Sequence, residues 1–265
     1  MSAPYPFEPN RFHSAAAHYL AGRPPYPPGL IRRVAVAVPV RDRHRVLDLG
    51  CGPGQLAIGF AYFAREVVGL DPEPNMLAAA TEATRGLAPN VSFRQGSSYD
   101  LSPELGCFRL VTMGRSFHWM DRAETLRRLD PLIDDRGAVA LFHGNHAEVP
   151  ENAWVQQWRT IVDRYATRDG VRARIRSSEG WLRHEAVLLA SPFCRLETVS
   201  IIESRAVTAD SLIDRVLSMS STSRSRIGAR ADQMVLELRE LLPHIAPLGT
   251  LREVLEWRAL IARRG

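Results

Sequence analysis

The chain contains no lysine: its 34 basic residues are all arginines, set against 29 acidic residues, for a formal net charge of +5. The arginines are scattered among Asp and Glu rather than concentrated in one segment, so the sequence does not indicate a basic patch for nucleic acid. Cysteine is nearly as scarce. The three cysteines, Cys51, Cys107 and Cys194, show no paired or CxxC spacing, which argues against a disulfide framework and against a zinc site.

Long apolar runs are also missing. No apolar run reaches the length needed to span a membrane, and the first residues lack a basic segment followed by an apolar stretch, so neither a membrane anchor nor a secretory leader is predicted. Together with the unpaired cysteines, this favours a soluble protein of the reducing cytoplasm. The 265 residues, 45% of them hydrophobic, can form one full core, and we predict a single domain over residues 1–265.

Short apolar runs alternate with helical periodicity through the first half of the chain, which predicts parallel strands joined by helical crossovers. The predicted strands are residues 45–49, 66–70, 91–94, 110–113 and 138–142. The predicted helices between them are residues 55–64, 74–86 and 122–128. The expected fold is therefore α/β, a doubly wound and mostly parallel sheet that binds its ligands at the carboxyl ends of the strands.

The pattern changes after residue 145, where Trp-rich amphipathic periodicity replaces the alternation of strands and helices. We interpret residues 145–190 as an inserted helical lid, with helices predicted over residues 153–166 and 179–189. Two further strands are predicted at residues 196–204 and 252–262, with helices over residues 210–219 and 229–242 between them. These two strands bring the predicted sheet to seven.

The most informative segment is Val-Leu-Asp-Leu-Gly-Cys-Gly-Pro-Gly at residues 46–54. A strand that ends in clustered glycines lets backbone N–H groups approach a ligand, and Asp71 ends the next apolar run, where a carboxylate can bind a ribose. A dinucleotide fingerprint would place its third glycine at position 55, which is Gln55. Asp48 disfavours a pyrophosphate and suits an ammonium group. These features argue against NAD.

This combination closely resembles the first cofactor motif of the class I S-adenosylmethionine-dependent methyltransferases. Residues 90–98 resemble the third strand and adenine-side turn of that family, and residues 108–121 resemble its fourth strand. The Phe117-His118-Trp119 triplet and residues 19–27 are similar to small-molecule methyltransferases related to trans-aconitate methyltransferases. The resemblance implies a Rossmann-like fold whose last two strands form an antiparallel edge hairpin. It also implies S-adenosylmethionine as cofactor and residues 1–30 as a cofactor cover.

On this resemblance the cofactor is expected to contact the glycine loop, the ends of the second and third strands, the fourth strand and the N-terminal cover. The candidate residues are Tyr19, Arg23, Asp48, Gly50, Cys51, Gly52, Gly54, Asp71, Pro72, Met76, Ser97, Ser98, Gly114 and Ser116. Asp71 would accept hydrogen bonds from the ribose hydroxyls, and Arg23 would pair with the methionine carboxylate. Two alternatives stay open: Asp71 as a helix N-cap, and Asp48 as a buried structural carboxylate. Ser97 and Ser98 stand where many relatives have an acidic residue.

His118 is the candidate catalytic residue, because it directly follows the predicted fourth strand and an imidazole can act as a base. The alternative is a structural histidine that shapes the turn. The acceptor pocket is predicted to include Tyr26, Phe117, Trp119, His143, His146 and Trp158. No metal is expected.

The sequence therefore predicts an enzyme that moves a methyl group from S-adenosylmethionine to a small organic acceptor. Arg172, Arg174 and Arg176 of the predicted lid leave room for an acidic acceptor. One alternative is a methyltransferase of tRNA or another nucleic acid, which would need a contiguous basic groove. A second is a protein that binds the cofactor without catalysis, because a fold alone does not fix a reaction. The sequence does not indicate the oligomeric state.

Overall fold

The computed structural model describes residue 12 and residues 14–167 and 181–265. At its centre lies a seven-stranded sheet in the order β3-β2-β1-β4-β5-β7-β6. The strands are β1 (Arg45–Leu49), β2 (Glu66–Asp71), β3 (Val91–Gln95), β4 (Phe108–Gly114), β5 (Ile133–His146), β6 (Arg195–Thr208) and β7 (Thr250–Arg263). Strands β1 to β5 pair in parallel, whereas β7 runs antiparallel to both of its neighbours, β5 and β6.

Helices cover both faces of this sheet. In chain order they are α1 (Ala16–Gly22), α2 (Pro28–Ala37), α3 (Gln55–Ala61), α4 (Pro74–Thr84), α5 (Arg122–Leu129), α6 (Trp154–Tyr165), α7 (His184–Leu189), α8 (Ala209–Leu217), α9 (Arg224–Ile227) and α10 (Arg230–Ile245). The predicted α/β doubly wound fold with an antiparallel edge is therefore confirmed. The two edge strands are joined through helices α8 to α10 rather than by a tight turn.

The central strands are apolar on both faces because helices bury both sides of a parallel sheet. On one face, α2 and α3 pack against the sheet, and the buried rings of Phe60 and Phe142 lie 6.0 Å apart there. On the other face, Leu126 and Leu129 of α5 and Leu188 of α7 share a core with the alternate residues of the same strands. The chain leaves β1 toward β2 on one side and returns to β4 on the other, so a ligand crevice forms at the carboxyl ends of β1 and β4.

A third hydrophobic cluster lies beyond the sheet proper, and we call it the helical cap. Strands β6 and β7 continue pairing as far as Thr208 and Thr250, past the end of β5. Helices α6, α8 and α10 pack around that extension, with Trp158, Leu212 and Leu238 among the buried residues. Because β5 and β6 end and β7 begins at this edge, the helical cap sits at the same edge of the sheet as the ligand crevice.

The segment interpreted as one lid, residues 145–190, has two structural locations. Helix α6 belongs to the helical cap, whereas α7 packs with α5 on a face of the sheet. Residues 168–180, including the three arginines noted above, lie outside the described residues. Within the described ranges, no helix is long and apolar enough to cross a membrane. The role of this segment as a lid stays a prediction.

Candidate functional site

The loop after β1 turns on three glycines with left-handed backbone angles, because Gly50, Gly52 and Gly54 have φ values of +68°, +52° and +80°. Only glycine adopts this region without steric cost. A Cβ at Gly50 would lie 2.5 Å from Cβ of Ser116, and one at Gly54 would lie 2.9 Å from Cζ of Phe93. A Cβ at Gly52 would meet no atom within 4 Å. Gly52 is therefore the point at which a ligand can approach the backbone.

The carboxylate of Asp71, at the end of β2, is buried against this loop. Its Oδ2 accepts a hydrogen bond from the N–H of Gly52 at 2.8 Å, and its Oδ1 accepts one from the N–H of Glu73 at 2.9 Å. Burial raises the pKa of Asp71 to about 6, against the lowering effect of these two N–H donors. The N-cap of α4 is Glu73 rather than Asp71. Asp71 thus stands between the glycine loop and α4, at the position predicted for a ribose contact.

Asp48, one residue before the end of β1, is completely enclosed. Its Oδ1 accepts a hydrogen bond from the hydroxyl of Thr112 at 2.8 Å, and its Oδ2 accepts one from the N–H of Ala57 at 3.1 Å. Burial raises the pKa of Asp48 to about 7, so at neutral pH the group is only partly ionised. The structural interpretation of Asp48 has this geometry in its favour, while a contact with a cofactor ammonium stays a prediction.

A narrow cleft opens beside the glycine loop, between the sheet edge and the N-terminal segment. Its walls combine the loop with aromatic residues from the predicted cover. The lining residues are Tyr19, Tyr26, Asp48, Gly50, Cys51, Gly52, Pro53, Gln55, Leu56 and Gly114. Sequence reasoning missed three of these, Pro53, Gln55 and Leu56, although their place between the glycines and the first turn of α3 marks a helix N-terminus next to a ligand loop.

This chain resembles known methyltransferases. Residues 46–137 match the family described as a methyltransferase domain. An uncharacterized methyltransferase of Mycobacterium tuberculosis is 27% identical over 237 residues, which cover 89% of this chain and 88% of that relative. A solved structure from Anaeromyxobacter dehalogenans, assigned to the type II methyltransferases, aligns with a TM-score of 0.64 at 20% identity, over 91% of this chain and 97% of that one.

A second solved structure, an S-adenosylmethionine-dependent methyltransferase from Thiobacillus denitrificans in complex with S-adenosyl-L-homocysteine, aligns with a TM-score of 0.53 at 17% identity. The alignment covers 97% of this chain and 99% of that structure's chain. Residues 46–137 therefore form a methyltransferase domain, and the fold of the chain is that of class I S-adenosylmethionine-dependent methyltransferases. The family match begins in β1 and ends within β5, so it contains the glycine loop, Asp71 and β4.

The remaining predicted cofactor residues are not among those that line the cleft. Pro72 and the buried Met76 flank the start of α4 beside Asp71. Ser97 is committed to a capping box with Asp100, whose Oδ2 accepts from both the backbone N–H and the hydroxyl of Ser97, at 2.7 and 2.8 Å. Ser98, next to it, is buried.

Two further predicted residues have structural partners in the methyltransferase. The hydroxyl of Ser116 donates a 2.8 Å hydrogen bond to the carbonyl of Leu49, which joins the end of β1 to the turn after β4. Nε of Arg23 donates to the hydroxyl of Ser218, at the end of α8, at 2.8 Å, and burial lowers the pKa of Arg23 to about 10. Arg23 therefore ties the N-terminal cover to the helical cap, and its predicted pairing with the methionine carboxylate is untested.

The triplet Phe117-His118-Trp119 forms one 3-10 turn directly after β4. Phe117 is buried in the core, with its ring 5.2 Å from that of His184. The rings of His118 and Trp119 lie 4.8 Å apart and are partly accessible, and Trp119 also meets Phe12 edge to face at 5.6 Å. The turn therefore presents His118 and Trp119 at the ligand edge, whereas Phe117 serves packing.

The other residues predicted to form the acceptor pocket lie in different parts of the structure. His143 is exposed on β5. His146, at the end of β5, bonds through Nε2 to Oε1 of the buried Glu253 at 2.8 Å. Trp158 is buried in the helical cap, and its indole N–H has no hydrogen-bond partner among the described residues. Tyr26 alone of the six lines the cleft.

Proposed function

We propose that this methyltransferase transfers the methyl group of S-adenosylmethionine to a small organic acceptor. The observation that carries this proposal is the lining of the cleft: Tyr19 and Tyr26 line it together with the glycine loop, and the helical cap lies at the same edge of the sheet. A narrow cleft lined in part by the chain's own N-terminal segment suits a small molecule better than a folded macromolecule. Within the described residues, the helical cap is also tied to the sheet by buried contacts rather than left open as a groove.

The residues present fit S-adenosylmethionine. Gly52 leaves open space above the backbone, and Asp71 and Asp48 place two carboxylates beside it. Asp71 would bind the ribose hydroxyls, because a carboxylate at the end of the second strand accepts from a diol. Asp48 would face the ammonium group, directly or through water. The aromatic walls at Tyr19 and Tyr26 suit a sulfonium cation, which the face of a ring attracts.

When bound, S-adenosylmethionine would supply a methyl group attached to positively charged sulfur. The acceptor atom would form a bond to the methyl carbon as the carbon–sulfur bond breaks in line with it, and S-adenosylhomocysteine would be left. The protein has to align the acceptor and keep water out, and it needs a base only for an acceptor that is protonated at neutral pH. Tyr26 and Gly114 bound the cleft at the end of β4, with a Cβ at Gly114 placed only 2.6 Å from the Tyr26 hydroxyl oxygen. This contact restricts the space at that end of the cleft. His118, on the turn that follows, would orient the acceptor or take its proton.

The experiment that tests this function is a label-transfer screen. Purified protein is incubated with methyl-labelled S-adenosylmethionine and either a pool of small metabolites or total tRNA. We expect label in low-molecular-mass products identified by mass spectrometry, and none in RNA. Labelled tRNA with no labelled metabolite would show that the acceptor class proposed here is wrong. The variant Asp71→Ala serves as the control, because weaker cofactor binding should lower transfer.

A further inference from the structure

Arg115 occupies an unusual position between two residues that sequence reasoning assigned to the cofactor site. It follows Gly114 at the end of β4, and its backbone φ of +57° lies in the left-handed region. Residues other than glycine rarely adopt this region, and those that do cluster at functional sites. The N–H of Arg115 still donates to the carbonyl of Phe142 at 3.1 Å, so the conformation is held by the sheet. The turn thus directs this side chain toward the N-terminal cover.

The guanidinium of Arg115 lies in an aromatic setting next to the cleft. It sits over the ring of Tyr26 at 4.8 Å and over the ring of Trp257 at 5.3 Å, measured to the ring centroids. Nη2 donates to the carbonyl of Pro24 at 3.0 Å. Nη1 is buried and has no hydrogen-bond partner among the described residues. A buried donor without an acceptor costs free energy, and its persistence calls for an explanation.

The acidic side chains near Arg115 have other hydrogen-bond partners. Glu253 accepts from both guanidinium nitrogens of Arg215 and from His146, and both oxygens of Asp48 are engaged by Thr112 and Ala57. Burial alone would lower the pKa of Arg115, but Tyr26, Tyr19 (through charge and a side-chain hydrogen bond) and Glu253 hold it above the ordinary value, so the side chain is a cation. Burial raises the pKa of Tyr26, so the ring beneath the guanidinium is a neutral phenol. Arg115 is therefore a cation with no carboxylate hydrogen-bonded to it in the described part of the chain.

The geometry restricts what could satisfy the free nitrogen. The centroids of Tyr26 and Trp257 lie 5.4 Å from each other, so both rings are on one side of the guanidinium and do not enclose it. Planar approach with paired N–H donors is the way arginine binds carboxylates. Arg115 does not itself line the cleft, but it follows Gly114 in the chain and lies over Tyr26, and both of these residues do.

We propose that Arg115 binds a carboxylate within the cleft. Two sources share this chemistry: the methionine carboxylate of the cofactor, and a carboxylate of the acceptor. The first would give the cleft a matched pair, with Asp48 facing an ammonium and Arg115 facing a carboxylate. It would also leave Arg23 in the structural role that its bonds to Ser218 indicate. The second source rests on the proposed function, because it requires an acceptor in the same cleft.

Calorimetry with two nucleosides tests the first source. S-adenosylhomocysteine is compared with S-adenosyl-3-thiopropylamine, which keeps the sulfur and the amine but lacks the carboxylate. We expect the wild-type protein to prefer the former by about 10-fold or more, a value typical of one charge-assisted hydrogen bond. Arg115→Gln should remove the preference. Arg115→Gly should do the same; it relieves the left-handed backbone but loses the contacts with Tyr26, Trp257 and Pro24, so its thermal midpoint is measured alongside.

The matched control is Arg45→Gln. Arg45 is also stacked on an aromatic ring, Phe108 at 4.7 Å, and also donates to a backbone carbonyl, but it lies at the opposite end of the sheet. It should keep the full preference. If Arg23→Gln removes the preference and Arg115→Gln does not, Arg23 binds the cofactor carboxylate and the first source is excluded.

A second arm tests the acceptor. The thermal midpoint of the protein saturated with S-adenosylhomocysteine is measured with benzoate, phenylacetate, succinate and citrate, and with benzamide, phenylacetamide and succinamide. If the carboxylate belongs to the acceptor, the acids raise the midpoint of the wild type, the amides do not, and Arg115→Gln and Arg115→Gly lose the shift. If Arg115 affects neither the nucleoside preference nor the acid shift, the inference is overturned. Neither arm requires methyl transfer, so a failed label-transfer screen would leave this result unaffected.

Discussion

The backbone N–H of Gly52 donates a 2.8 Å hydrogen bond to Oδ2 of Asp71, and this bond joins the loop after β1 to the end of β2. The second oxygen of the same carboxylate accepts from the N–H of Glu73 at the start of α4. One side chain therefore fixes the glycine loop relative to the neighbouring strand and helix. Each carboxylate oxygen keeps a further lone pair, so ribose hydroxyls can bind without breaking these bonds.

The first prediction concerns Asp71→Ala. The loss of a charged acceptor for the ribose should weaken binding of S-adenosylhomocysteine by about 1.5 to 3 kcal/mol, measured by calorimetry. Asp134→Ala, at the opposite end of the sheet where Asp134 pairs with Arg109, serves as the control and should bind normally. Unchanged affinity in Asp71→Ala would remove Asp71 from the cofactor site.

The glycine loop and the strands were predictable because their signals are local. Clustered glycines after a β-branched run, followed by Asp71 at the end of the next run, determine backbone conformation within a few residues. Some strands are longer than predicted. Strand β5 starts at Ile133 rather than residue 138, because Ile133 pairs with Phe108 before an irregularity that contains the charged residues 134–136, and regular pairing with β4 resumes at Ala138.

The helical cap could not be predicted in the same way. Trp158 and Leu212 pack together although more than fifty residues separate them, and their spacing along each helix indicates only that each helix has an apolar face. Arg115 illustrates a second limit. The direction of its guanidinium depends on a left-handed backbone angle, which nothing in the residues Gly114-Arg115-Ser116 reveals.

The second prediction follows from the raised pKa of Asp48. In the unfolded chain the group ionises near its ordinary value of 3.8, whereas in the folded protein the pKa is about 7. Between these values the folded state binds more protons than the unfolded state, so this group makes the free energy of unfolding fall as pH rises. The stabilising contribution of protonated Asp48 to the free energy of unfolding is present in full below the unfolded pKa and is lost by about pH 7. The upper bound of this contribution is about 4 kcal/mol.

Asp48→Asn should therefore stabilise the protein at pH 8 relative to wild type and do so much less at pH 5, as measured by urea unfolding at both values. The amide can still accept from the N–H of Ala57, and Thr112 can accept from the amide nitrogen. A stability difference that is the same at both pH values would contradict burial of an ionisable Asp48. Asp130→Asn, at a partly exposed site paired with Arg264, is the control.

The third prediction separates two glycines of one loop. Gly54→Ala should destabilise the protein more than Gly52→Ala, because only the former adds contact with Phe93 to the cost of a positive φ. Gly52→Ala should cost about 1 kcal/mol of unfolding free energy and weaken S-adenosylhomocysteine binding, since its methyl group fills the space open to the ligand. Thermal unfolding and calorimetry on both variants check this. In each variant, the loss of S-adenosylhomocysteine affinity is compared with the loss of unfolding free energy. The same ratio in both variants would contradict a ligand-facing role for Gly52.

The fourth prediction concerns His118, which the turn after β4 presents beside Trp119 at the ligand edge. His118→Ala should lower the rate of methyl transfer in single-turnover assays and leave S-adenosylhomocysteine affinity nearly unchanged, because Asp71 and the glycine loop lie elsewhere. If the imidazole acts as a base, the wild-type rate rises with pH through the range in which an imidazole loses its proton, and His118→Gln loses that rise. His44→Gln, at the opposite end of the sheet beside Arg109, should keep both rate and pH profile. A transfer rate that is the same in His118→Ala and wild type would show that His118 only shapes the turn.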